Sequence, residues 1–84
     1  MSPKSKFRKK FLEAIEVGAV REIKHKITLG EVKRSDLVDV EKELLEAKGK
    51  IGTQASLLSV TDDDLREVIR RVSKKCGLEV KDGG

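Results

Sequence analysis

Apolar side chains recur along this chain in stretches separated by glycine and charge, and five of these stretches read as elements. Over 4–17, Phe7, Phe11 and Ile15 repeat every four residues with Leu12 beside them, which is the stripe of an amphipathic helix. Ser2 and Pro3 suit its entry. Over 19–29, Ala19, Ile23 and Ile27 continue the spacing of four. A strict repeat of four drifts by about 40° per step against a 3.6-residue period. From Phe7 to Ile27 that amounts to about 200°, so one straight helix would wind its stripe to the opposite side. The pattern therefore predicts a break near Gly18 and a separate helix over 19–29. A strand is the alternative, because Ile23, His25, Ile27 and Leu29 alternate with Lys24, Lys26 and Thr28.

A third element is expected over 36–48. Ser35 offers an N-cap, Asp36 and Asp39 complement a helix N-terminus, and Gly49 offers a stop. Leu37, Val40, Leu44 and Ala47, with Leu45, would form its buried face. The stretch 53–60, with Ala55, Leu57, Leu58 and Val60, is short enough for a helical turn or a strand. The fifth element, 62–76, has the clearest signature. Thr61 caps it, Asp62, Asp63 and Asp64 fill the first turn, and Arg70, Arg71, Lys74 and Lys75 fill the last. Gly77 stops it, so both ends match the helix dipole. Leu65, Val68, Ile69 and Val72 make its stripe. Beyond it, Leu78, Glu79 and Val80 suit a short strand or a packed tail. The fold class expected is mainly α, a small bundle of about four short helices with a minor β element. The alternative is a compact α+β domain in which 20–29, 50–60 and 78–81 pair.

Length makes this one small domain, 1–84, with a basic and frayed segment over 1–10. A chain of 84 residues has a thin core, burying only about 60–65% of the surface that its unfolded form exposes. Phe7 and Phe11 are its only aromatic side chains. Little aromatic mass weakens such a core further, and self-association into a homodimer is one remedy. No apolar run approaches the ~20 residues that span a bilayer, and no apolar segment follows the basic start, so no secretory leader is expected. The single cysteine, Cys76, cannot form an internal disulfide, which favours a reducing, cytoplasmic setting. Scarce amides beside abundant Lys and Glu fit a thermophile's protein.

Candidate chemistry is sparse. The only histidine is His25 and the only cysteine is Cys76, too few for a nucleophile with its base or for a closed zinc site. Cys76 on the last turn of a helix reads as a small hydrophobe, and His25 between two lysines as a surface group. Asp62, Asp63 and Asp64 lack the alternation and glycine of a calcium loop, so capping accounts for them. Gly49 and Gly52 have the GxxG spacing of a KH clamp, a weak signal in a chain with seven glycines. The stretch 28–49 superficially resembles a winged-helix core, but its reading helix would carry five acids and repel phosphate. The terminal Gly83 and Gly84 have the ending of ubiquitin-like modifiers without the strand-rich pattern. No enzyme, cofactor or metal is expected.

Charge changes the picture most. Residues 1–34 hold ten Lys or Arg and four Glu, a net of +6, whereas 35–84 hold nine and eleven, a net of −2. Lys4, Lys6, Arg8, Lys9 and Lys10 crowd a helix N-terminus, where cations oppose the dipole. Capping does not call for them there, and phosphate contact would. The function expected is therefore a non-catalytic nucleic-acid-associated protein, with Lys4, Lys6, Arg8, Lys9, Lys10, Arg21 and Lys24 on the phosphates. With no aromatic ring free to stack on bases, binding would be led by the backbone. The alternative is a protein-interaction or adaptor module, homodimeric in its simplest form.

Overall fold

The computed structural model describes residues 3–81, with side chains from residue 6 onward. The described residues form four helices and two short strands: α1 Pro3–Thr28, β1 Leu37–Asp39, α2 Val40–Ile51, α3 Gln54–Leu57, α4 Asp62–Lys75 and β2 Glu79–Lys81. The fold is mainly α with a minor β element, as the hydrophobic pattern predicts.

The break expected near Gly18 does not occur, and α1 runs unbroken for 26 residues. The sequence reading forced Phe7 into the core. The structure leaves it 58% exposed and packs the half-buried stripe Leu12, Ile15, Ala19, Val20, Ile23 and Ile27 against the core instead. At about 100° per residue these six fall within an arc of about 140°, so a single straight helix serves them all. The helix stops where the backbone must turn left-handed. Gly30 has φ +79°, and the Glu31 N–H closes on the Lys26 carbonyl at 2.9 Å. The strand alternative for 20–29 is thereby excluded, and with it the pairing of 20–29, 50–60 and 78–81.

The third element begins later than the sequence predicts. Residues 37–39 are extended, and Asp39, not Ser35, caps α2 by accepting from the Lys42 N–H at 3.3 Å. Gly49 lies inside α2, which ends at Gly52 with φ +61°. Only Gly52 lies in the turn between α2 and α3, so the two glycines do not bracket a loop as a GxxG clamp would. Val40 and Leu44 are buried, whereas Leu37 and Leu45 are 59% and 70% exposed. The stretch 53–60 contributes one helical turn, α3.

The helix α4 meets its expectations. Thr61 accepts from the Asp64 N–H at 3.1 Å while Asp64 accepts from the Thr61 N–H at 3.0 Å, a reciprocal capping box. Gly77, at φ +72°, turns the chain so that Leu78 returns to the core. Then β2 pairs in parallel with β1, Val38 opposite Val80.

The core is centred on α4. Leu65, Val68, Val72, Cys76 and Leu78 are buried with Val40 and Leu44, whereas Ile69 is only half-buried. Buried Ser73 is satisfied by donating to the Ile69 carbonyl at 2.8 Å. Glu16 reaches Lys75, and the Cys76 thiol lies 3.8 Å from the Val20 carbonyl, so α1 runs alongside α4 in the same direction. Lys48 pairs with Asp62 and Arg66 with Glu41, so α2 runs antiparallel to α4. No helix among the described residues is long and apolar enough to cross a membrane.

Candidate interaction groove

Two helices that pack on a third need not pack on each other. Here α1 and α2 both lie on α4 and scarcely touch, which leaves an open groove of about 570 Å³ between them. Its floor is α4, with Leu65, Val68, Ile69 and Val72. One wall is α1, with Phe11, Ile15, Ala19 and Ile23, and the other is α2, with Ala47 and Ile51. The half-burial of Ile69 follows directly, since nothing among the described residues covers that side of α4. The ion pairs that hold α2 to α4, Lys48–Asp62 and Arg66–Glu41, do not line the groove, so the opening is not crossed by them.

The two ends of the groove differ in charge. Because α1 and α2 are antiparallel, Phe11 and Ile51 mark one end, and Lys26, Asp36, Leu37 and Glu43 mark the other. Carboxylates prevail at the second end and along the rim: Glu22, Asp36, Glu43 and Glu46 against Lys26, with Lys50 further along. Lys26 is already engaged by Glu22 at 3.4 Å. Desolvation pushes the Glu43 carboxyl above the ordinary carboxylate range. Glu46 adds to the effect, and Lys42, Lys50 and Lys26 oppose it.

The residues expected to meet phosphate divide between two sides of α1. Lys6, Lys9, Lys10, Arg21 and Lys24 are exposed, and Arg8 is half-buried. The Lys4 side chain lies outside the described residues, as do Gly83 and Gly84. With Leu12 as reference, helical geometry places Lys6, Lys10, Arg21 and Lys24 within an arc of about 60° on the side away from the groove. Arg8 points about 170° from that arc's centre, towards the groove side. Lys9 lines a smaller cleft of about 160 Å³, where Glu13, Glu16, Asp64 and Glu67 outnumber it and Arg71. The continuous helix thus assembles four of the expected residues into one basic stripe and separates Arg8 and Lys9 from it.

His25 is exposed and Cys76 is buried. Burial pushes the Cys76 thiol up, with Lys24 acting weakly in the opposite direction. Among the described residues no three His, Cys, Asp or Glu side chains group so as to hold a metal ion.

The groove was not read from the sequence, although it left a trace there. Phe7 and Phe11 lie offset from the stripe that α4 covers, so α1 carries more apolar surface than one neighbour can bury. No protein-family model, no curated protein and no solved structure matches this chain.

Proposed function

We propose that this protein is a non-catalytic protein-interaction module, whose groove between α1 and α2 receives an amphipathic helix with basic residues flanking its apolar face. The observation that carries the reading is the uncovered side of α4. Ile69 belongs by its spacing to the stripe of Leu65, Val68 and Val72, yet only those three are buried. A helix laid between α1 and α2 would complete that core, which is the helix-in-groove mode of recognition. The excess of carboxylates on the rim selects basic flanks. The single cysteine, which has no partner for an internal disulfide, supports a reducing setting for the module.

A synthetic Leu/Lys amphipathic peptide of about 18 residues, about 27 Å as a helix, tests this. In amide-resolved NMR titration its shifts are expected at Ala19, Glu46, Ala47, Ile51 and Ile69, and Ala47→Arg should remove them. Shifts confined to the opposite side of α1, or none at all, would overturn the reading.

One observation favours a second reading, backbone-led binding of nucleic acid. Lys6, Lys10, Arg21 and Lys24 line one exposed side of α1, away from the groove. Four phosphate contacts on duplex DNA give a slope of log affinity against log salt of about −3.6. Exchanging the four for Gln should abolish binding, and a wild-type protein that shifts no DNA or RNA at low salt would remove the reading.

A further inference from the structure

We infer that the helix received by the groove is α1 of a second copy of this chain, laid antiparallel so that a two-fold axis passes near Gly18. This rests on the groove reading above and names its occupant.

Three independent features of α1 point to it. The first is charge. The groove's Lys26 end carries Glu22, Asp36 and Glu43, while Arg8, on the groove side of α1, brings a cation to the other end of the helix, where the first turn holds no acid. An antiparallel copy brings its basic end onto the acidic end of its partner, and the symmetry repeats the match at the other end of the pair.

The second is the position of the exposed apolar residues. Phe7 and Leu29 are each 58% exposed, and each lies eleven residues from Gly18, one before and one after. Leu29 continues the helical ladder, its N–H bonding the His25 carbonyl at 3.0 Å. At about 100° per residue, Phe7, Phe11, Gly18 and Leu29 fall within an arc of about 40° along the edge of α1 that borders the groove, where Phe11 lines it. A two-fold at Gly18 therefore sets Phe7 of one copy against Leu29 of the other, twice. Leu37, also exposed, lines the same end of the groove.

The third is Gly18 itself. It sits in the middle of a 26-residue helix, where glycine costs about 1 kcal/mol relative to alanine. Its φ is not positive, and a Cβ added there would meet nothing within 4 Å. Nothing within the chain requires a glycine at this position. The close crossing of two helix backbones does.

Sedimentation of the full chain tests the pairing at about 100 µM, where a micromolar complex is largely formed. The wild type is expected at twice 9.4 kDa. Arg8→Glu should give a monomer, and so should Glu43→Arg with Glu46→Arg. Mixing these two variants should restore the dimer, because the reversed charges then meet in one half of the pair and the native charges in the other. Gly18→Ala should weaken the dimer at least tenfold while raising the thermal midpoint of the monomer. Circular dichroism checks that each variant folds. A wild type that stays at 9.4 kDa and still binds the amphipathic peptide overturns the second copy as occupant but leaves the groove reading standing. A monomer that ignores the peptide overturns both. A dimer that survives Ala47→Arg, or that fails to return on mixing, lies elsewhere on the molecule and overturns the inference.

Discussion

The Lys75 ammonium donates to Glu16 Oε2 at 3.1 Å, joining α1 to α4 across 59 residues of chain. The pair is asymmetric: the Glu16 side chain is 12% exposed and that of Lys75 is 55% exposed. Glu16 Oε1 is buried with no hydrogen-bond partner among the described residues. Removing the cation therefore strands a buried charge, whereas removing the carboxylate strands nothing. Lys75→Met should lower stability by about 1–3 kcal/mol. Glu16→Leu should leave it unchanged or raise it. Urea unfolding reads both, and equal losses in the two variants would show that the pair is not organised in this way.

The capping box at Thr61 gives a second expectation. Both halves of the box are present, so Thr61→Ala should cost about 1 kcal/mol, and Thr61→Ser, which keeps the oxygen, should cost much less. Equal effects from the two changes would mean that the methyl group, rather than the hydroxyl, is what matters.

Residues four apart on α4 should respond differently to truncation. Leu65 is 3% exposed and Ile69 is half-buried over the groove. In dilute solution Leu65→Ala should cost about 2–5 kcal/mol, with Ile69→Ala costing less than half of that. At high concentration the gap should narrow, because a helix in the groove buries Ile69. A concentration-independent loss at Ile69 matching that at Leu65 would place Ile69 in the core of the isolated chain.

The Cys76 thiol is buried, and burial raises its pKa. Thiolate is the reactive form, so iodoacetamide at neutral pH should modify Cys76 only as the protein unfolds, at a rate that rises with urea. Prompt labelling of the native protein would contradict its place beneath α1.

What the sequence determined by itself is local. Thr61, the three aspartates, the terminal basic residues and Gly77 specify α4, because capping and the dipole act within a few residues of the groups they stabilise. The overall helical class follows from periodicity for the same reason. Tertiary structure decided what depends on partners distant in sequence. Whether Gly18 broke a helix turned on which apolar residues α4 would cover. Once Phe7 was left outside, Leu12 to Ile27 fitted one arc and α1 could run straight. The extended 37–39 exists because Val80 pairs with Val38, a contact that no local pattern near Ser35 announces, and that strand moved the cap from Ser35 to Asp39. The groove is the least local feature of all. It exists because α2 packs on α4 through its buried Val40 and Leu44, at a distance from α1 that no property of either helix alone could set.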